Sequence, residues 1–325
     1  MRSRIVSCGE TRVPLSKIAL GTGDYGTGRP EPEAFAQMDA YYAAGGRTLD
    51  TARVYGAWAP GGDGASETCV GKWLRERGVR GEMVISTKGA HPPLGHMSQS
   101  RLRPECIARD LSESLAFLDT AYVDVYFLHR DDPSVPVSEI IDALDEHVRA
   151  GRIRLLGASN WTHDRIMEAN AYARSHGRAP FSLSQIEWSY AVLTCPPDPN
   201  DTLVYMTEQE YRNYREEPVA LMAYTSQARG FFNKLAAGGE EALPEALRRV
   251  YLCEENLRRA ERLAVLANKK DATLAQLALA YITWDPLDGV AIISARTQAQ
   301  LEDSLASERL QLTPEEWAYL DAGTK

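Results

Sequence analysis

The chain has 325 residues, 44% of them hydrophobic, and a formal net charge of −9. That is ample material for a large core, and the acidic balance argues against nucleic acid as the main partner, because phosphate backbones call for a basic face. No apolar run approaches a membrane span and the first nine residues lack the core of a signal peptide, so a soluble cytoplasmic protein without membrane association is expected.

Residues 4–17 read as a hairpin: Ile5 and Val6 form one arm, Gly9-Glu10 the turn, and Arg12 to Pro14 the return. Ahead of a barrel, such a hairpin is placed to plug the lower end. Ile18–Gly21 is the first apolar strand, followed by the glycine-rich loop Thr22–Gly26. A helix over Glu31–Ala44 carries Phe35, Met38 and Tyr42 on one face and stops at Gly45-Gly46. Thr48–Thr51 is strand two. Residues 56–65 hold Trp58, Pro60 and four glycines, which predicts a long, mobile loop. Ser66 then has the character of an N-cap for a helix over Glu67–Arg77.

Strand three is Met83–Thr87, and a helix covers Arg103–Leu118. Strand four is Val123–Leu128, the next helix Val137–Ala150, strand five Ile153–Ala158, and its helix Thr162–Ser175. Strand six is Phe181–Ile186. Thr194–Asp201 holds three prolines and reads as a loop, and Thr207–Glu217 as a charged helix. Strand seven is Val219–Ala223. Residues 227–253 are loop and short helix, broken at Gly238-Gly239. Helices follow over Glu254–Lys269 and Leu274–Trp284, then strand eight at Gly289–Ile293 and a helix over Gln298–Ser307. Thr313-Pro314 opens a last helix with a cap and a proline at its first position.

Strand and helix thus alternate eight times, and the strands are apolar enough to be buried on both faces. This predicts an α/β fold, a (β/α)8 TIM barrel with an N-terminal β-hairpin, in one domain over residues 1–325. No Gly-x-Gly-x-x-Gly joins the first strand to its helix, as an open dinucleotide-binding sheet would require. The five cysteines, Cys8, Cys69, Cys106, Cys195 and Cys253, are widely spaced and are expected to be reduced thiols. His91 and His96 flank Pro92-Pro93 without further ligands nearby, so no metal site is expected. His147, His163 and His176 are expected at the surface.

Three consecutive strands end in reactive side chains. Thr48 to Tyr55 brings Asp50 and Tyr55, strand three ends in Lys88, and strand four ends in His129. In a parallel barrel these reach one rim, where chemistry is placed. A phenol is a poor acid near neutral pH, but a neighbouring ammonium favours its charged form. A carboxylate would hold that ammonium, and a neutral imidazole would orient a carbonyl oxygen. Such a set suits proton transfer to or from oxygen, with hydride supplied by a bound cofactor.

The motifs run on in order. They are Leu49-Asp50-Thr51-Ala52 with Tyr55-Gly56, Ser86-Thr87-Lys88, Leu128-His129, Gly157-Ala158-Ser159-Asn160-Trp161 and Gln185-Ile186-Glu187. Ala223-Tyr224-Thr225 with Arg229-Gly230 follows, then Ser294-Ala295-Arg296 with Gln300. In these pieces, and across nearly its whole length, the chain resembles the aldo-keto reductases, NADPH-dependent carbonyl reductases built on a (β/α)8 barrel. The resemblance implies Tyr55 as general acid, Lys88 depressing its pKa, Asp50 anchoring Lys88, and His129 orienting the carbonyl. It implies NADP(H) as cofactor: Ser159, Asn160 and Gln185 on the carboxamide, Tyr224 stacked on the nicotinamide, and Thr225, Ser226, Gln227, Arg229 and Gly230 at the pyrophosphate. Arg296 would reach the 2′-phosphate, a contact that suits a planar guanidinium, with Gln300 near the adenine. Gly21, Thr22 and Ser294 complete the cofactor set.

The chain departs from the family pattern at Arg53, at Gln227, at Ser304 and in the long 56–65 loop. It also ends soon after its last helix, as the short C-terminal form without a lid would. Arg53, Trp58, Arg130 and Trp161 are the expected substrate contacts, with Asp131 and Trp188 nearby, and their polarity suggests a sugar-like carbonyl. Taken singly, these residues have plainer roles: Trp161 and Tyr224 as core aromatics, Ser159-Asn160 as a turn, Arg296 as a solvated helix start. Two other functions fit the same residues. One is a redox-neutral epimerase or dehydratase with held cofactor, and the other a cofactor-binding regulatory subunit.

Overall fold

The computed structural model describes residues 1–196 and 202–322, so the predicted loop at Thr194–Asp201 lies partly outside the described residues. The chain starts with an antiparallel hairpin, β1 (Ser3–Cys8) and β2 (Thr11–Ser16), in which Val6 faces Val13. Gly9 opens its two-residue turn at φ +56°, a left-handed backbone that costs glycine nothing.

Parallel strands then close a barrel. They are β3 (Ile18–Gly21), β4 (Thr48–Asp50), β5 (Val84–Gly89), β6 (Val123–Leu128), β7 (Ile153–Ser159), β8 (Phe181–Glu187), β9 (Ala220–Tyr224) and β10 (Val290–Ile293). They pair in sequence order, and β10 bonds to both β9 and β3. Around them lie α1 (Glu31–Ala43), α2 (Ala65–Arg77), α3 (Pro104–Phe117), α4 (Val137–Arg149), α5 (His163–His176), α6 (Glu208–Glu216), α7 (Phe231–Gly238), α8 (Glu245–Tyr251), α9 (Glu254–Lys270), α10 (Leu274–Thr283), α11 (Gln298–Ala306) and α12 (Pro314–Ala322). Most predicted elements reappear with ends moved by a residue or two. Among the described residues no helix is long and apolar enough to cross a membrane.

Strand periodicity explains how the barrel makes a site at one end only. Alternate residues face inward. Val84, Val125, Phe127, Leu155, Leu183, Ala220, Met222, Val290 and Ile292 form an inner apolar cluster, joined by Val6, Val13 and Leu15 of the hairpin. The hairpin therefore fills the lower mouth, as expected. Two residues further along the same inward rows the side chains turn polar: Ser86 and Lys88 above Val84, His129 above Phe127, Gln185 above Leu183, Tyr224 above Met222, and Ser294 above Ile292. The outer strand faces, including Ile85, Tyr126, Leu156 and Ile186, pack on helix residues such as Leu111, Ile140, Ile166 and Leu277.

Four local expectations are corrected. On α1 it is Tyr41, not Tyr42, that completes the buried face with Phe35 and Met38, and its hydroxyl donates to the Ile18 carbonyl at 2.8 Å. Ser66 is not a cap: Gly64, at φ +68°, precedes α2, and Ser66 lies inside its first turn. His147 and His163 are buried, His163 against the Tyr214 ring at 4.8 Å and donating from Nε2 to the Glu217 carbonyl at 2.9 Å. The 56–65 stretch is a run of bonded turns, for example Ala59 N–H to the Gly56 carbonyl at 2.9 Å.

Candidate active site

β4 and β5 are hydrogen-bonded neighbours, with Asp50 in register with Ser86. Lys88, two residues along from Ser86 and inside its strand, therefore reaches across to Asp50. Its ammonium donates to Asp50 Oδ2 at 2.6 Å, to the Thr51 carbonyl at 2.8 Å and to the Tyr55 hydroxyl at 3.2 Å. The other Asp50 oxygen accepts from Ser86 Oγ at 2.9 Å and Gln185 Nε2 at 3.0 Å. Asp50 and Lys88 are buried, so each needs the other, and both carboxylate oxygens and the ammonium are hydrogen-bonded. Burial works against the Lys88 charge. The Asp50 carboxylate and then Tyr55 outweigh it, holding the lysine pKa above its ordinary value.

His129 stands across from Tyr55, their ring centres 5.8 Å apart. Burial, followed by His91, Arg130 and Lys88, pushes its pKa well below the usual histidine value, so the imidazole is neutral. Asp50, Tyr55 and His129 line an open cavity of about 790 Å³ at the carboxyl ends of the strands.

The same cavity is lined by Gly21, Ser159, Asn160, Gln185, Tyr224 and the run Thr225, Ser226, Gln227, Arg229 and Gly230, and by Ser294, Arg296 and Gln300. Asn160 sits at φ +59°, a conformation asparagine tolerates. There its amide donates to the His129 carbonyl at 3.2 Å and accepts from the Tyr224 hydroxyl at 2.7 Å. Ser159 Oγ donates to the Gln185 carbonyl at 3.0 Å, and Ser226 Oγ to the Ile292 carbonyl at 2.7 Å. Thr225 and Arg229 also adopt left-handed backbones, φ +53° and +54°, strain of the kind that gathers at binding sites. Arg296 precedes the Thr297 cap of α11, whose N-terminus favours anions, and its N–H is held by Gln300 Oε1 at 2.9 Å. Besides Arg130, this cavity is lined by the cations Arg229, Lys234 and Arg296, a donor set that suits a phosphate-bearing dinucleotide.

The model of the aldo/keto reductase family matches residues 17–324. The chain belongs to this family. Its members are oxidoreductases that act on carbonyl and alcohol groups. The chain is similar to the aldo-keto reductase str7 of Strobilurus tenacellus, 28% identical, covering 91% of this chain and 82% of that one. It is similar also to the norsolorinic acid reductase stcV of Emericella nidulans, 29% identical over 94% and 77% of the two chains. Among solved structures it resembles the thermostable aldo-keto reductase Tm1743 in complex with the inhibitor epalrestat, with a TM-score of 0.73 and 25% identity over 100% of both chains.

Within this aldo-keto reductase barrel several predicted contacts lie elsewhere. Arg53 does not line the cavity. Its guanidinium is taken by Asp63 at 2.6 Å and Glu113 at 2.7 Å and lies over the Phe117 ring. Trp161 is fully buried, its ring centre 5.2 Å from that of Phe181. Trp188 is buried too, and Asp131 faces Arg165 at 3.5 Å. Thr22 is fully buried, and its hydroxyl bonds the Asp50 carbonyl and Ser66 Oγ. Trp58 stays 57% exposed, tilted beside Tyr55 at 6.2 Å between ring centres. Of the four expected substrate contacts, Arg130 lines the cavity.

Sequence reasoning missed Asn233, Lys234 and Asp303, which also line it. Lys234 follows Gly230 by four residues, one helical turn, and folds back to donate to the Arg229 carbonyl at 2.6 Å. That spacing was a usable signal. Ser66 was also misread. Its hydroxyl, bonded to Thr51 Oγ1 at 2.9 Å and donating to the Thr22 carbonyl at 2.7 Å, ties α2 to the loops after β3 and β4.

Proposed function

We propose that the protein interconverts a small-molecule carbonyl and its alcohol with NADP(H), Tyr55 being the proton donor. The observation that carries this is the buried relay Asp50–Lys88–Tyr55, with 2.6 and 3.2 Å steps, opening onto a cavity shared with His129. His129, neutral, offers an N–H to the carbonyl oxygen and orients it. Tyr55 passes its hydroxyl proton to that oxygen as charge builds there. Lys88 stabilises the phenolate left behind, and Asp50 keeps Lys88 in reach. When bound, NADPH supplies the hydride that goes to the carbonyl carbon. Ser159, Asn160 and Tyr224 would hold its nicotinamide end, and Arg229, Lys234 and Arg296 its phosphates. Arg296 is the reason to favour NADP over NAD.

A norsolorinic acid reductase and an aryl-alcohol dehydrogenase [NADP(+)] of Phanerodontia chrysosporium among the relatives support carbonyl–alcohol chemistry. Arg130 in the cavity supports a polar, sugar-like substrate, and clear preference for a bulky apolar ketone over a ketosugar would end that part of the reading. The central test is a panel of carbonyls and alcohols followed by NADPH absorbance, with Tyr55→Phe as control. Stoichiometric NADPH consumption is expected, with kcat falling about 10²–10⁴-fold in the variant. A Phe variant with full activity would overturn the acid assignment. Substrate conversion without net NADPH change would favour epimerase or dehydratase chemistry instead.

A further inference from the structure

β5 ends at Gly89, and the next residue, Ala90, is buried at φ +57°. A left-handed alanine is a strained choice, and it is held in place: its N–H donates to Asp110 Oδ2 of α3 at 2.8 Å, and Arg101 binds the other Asp110 oxygen. The turn throws His91 toward the end of β6. Pro92 follows and confines His91 to extended backbone. The His91 ring meets the His129 ring edge to face, with centres 4.7 Å apart and planes at 74°. His91 Nδ1 lies 2.6 Å from the Pro92 carbonyl, which can only accept, so Nδ1 carries a proton.

His129 has a complementary feature. Its Nδ1 is buried without a hydrogen-bond partner among the described residues. A buried orphan N–H is rarer than an orphan lone pair, so Nδ1 is unprotonated and the ring N–H is on Nε2. Nothing bonded to Nδ1 sets the ring plane, as a second-layer acceptor usually does for a working histidine. What meets that ring is His91 on one side and Tyr55 on the other.

We propose that His91 is the positioning residue of His129: by packing edge to face it sets the plane of that ring, and by taking up the first proton as pH falls it keeps His129 a neutral Nε2–H donor. His91 is half-buried, whereas His129 is 7% exposed, so water stabilises the cation better on His91. Among the described residues, the titratable and charged groups facing His129 are Tyr55 from the loop after β4, Lys88 from β5, His91 from the loop after β5, and its neighbour Arg130. Three of these can be cationic, and a charged His91 adds to their repulsion of a second imidazolium. The catalytic meaning of this arrangement rests on the carbonyl-reduction reading above.

The test uses the full chain with His91→Ala and His91→Phe. Imidazole ¹⁵N NMR, with His129 assigned through His129→Gln, reads the ring directly and does not depend on turnover. In the wild type His129 stays the neutral Nε2–H tautomer to the lowest pH at which the fold persists, and in both variants it begins to titrate at higher pH. In kinetics, His91→Ala lowers kcat about 10- to 100-fold with the KM for NADPH unchanged. His91→Phe restores the ring contact and most of kcat at pH 8, yet its acid limb stands about half a pH unit or more above wild type. Coincident His129 titration curves in wild type and variants overturn the proposal. Failure of every substrate to turn over would instead count against carbonyl reduction, and the NMR comparison would still decide the role of His91.

Discussion

The residues of this site do their work in pairs, and each pair needs the barrel to exist. Lys88 is charged because Asp50 lies 2.6 Å away, and Asp50 is tolerated in the floor because Ser86, Gln185 and Lys88 satisfy it. Arg296 has a different footing, at an exposed helix start where a neutral side chain would leave the fold intact. Replacing it with leucine is expected to raise the KM for NADPH about 10- to 100-fold, the loss of one charge-assisted contact, while the KM for NADH stays within about twofold. Equal weakening of both cofactors would remove Arg296 from the 2′-phosphate. Neighbouring Arg53 shows how far residue type alone can mislead. It lies between Asp50 and Tyr55 in the chain, but Asp63 and Glu113 turn it outward.

At the scale of elements, the hairpin is the clearest dependent part. It is a two-stranded sheet that pairs with no barrel strand, held by the burial of Val6, Val13 and Leu15 and by polar contacts such as Ser16 N–H to Thr48 Oγ1 at 2.8 Å and Arg4 to the Leu287 carbonyl at 2.8 Å. Leu15 is fully buried. Leu15→Ala is expected to cost about 2–5 kcal/mol in urea unfolding, through lost burial and the cavity left behind. Activity per folded molecule should be unchanged, because the reactive side chains stand at the opposite end of the strands. A parallel loss of kcat at full folding would mean that the plug reaches the site. The helices obey the same logic of faces. α1 was read one residue out of phase at Tyr42, because Tyr41 and Tyr42 are chemically alike and a barrel wall at Ile18 selects between them.

Behind the barrel wall the whole molecule carries a buried polar cluster. Glu67 of α2 accepts from Thr87 Oγ1 at 2.5 Å beside Ser114, while the Tyr126 hydroxyl is buried with no hydrogen-bond partner among the described residues. Burial pushes the Glu67 carboxyl from 4.5 up to about 7, against the pull of Thr87, Ser114, Arg53 and Lys88. The folded chain therefore holds a proton between these values that the unfolded chain has released. This stabilises the fold fully below the unfolded value and is lost as pH rises through the folded one, an effect of roughly 3 kcal/mol. Glu67→Gln should remove it. The variant should gain on the wild type steadily between about pH 5 and pH 8 in chemical denaturation. A constant difference across that range would show that Glu67 does not titrate there.

Much of this was legible in order along the chain. Strand periodicity and eightfold alternation determined the barrel and put Asp50, Lys88 and His129 at strand ends, because alternation is a local property that needs no partner to be read. The hairpin and its plugging role followed from the same pattern. What only the tertiary structure decided was which side chains face which. Arg53 met Glu113 from sixty positions on, Trp161 met Phe181, His163 met Tyr214, and His91 met His129, each through a contact set by the closure of the barrel. A side chain's direction at the end of a strand is dictated by the pleat, but its direction in a loop is dictated by the charges and rings that the fold brings alongside it, and those are not neighbours in sequence.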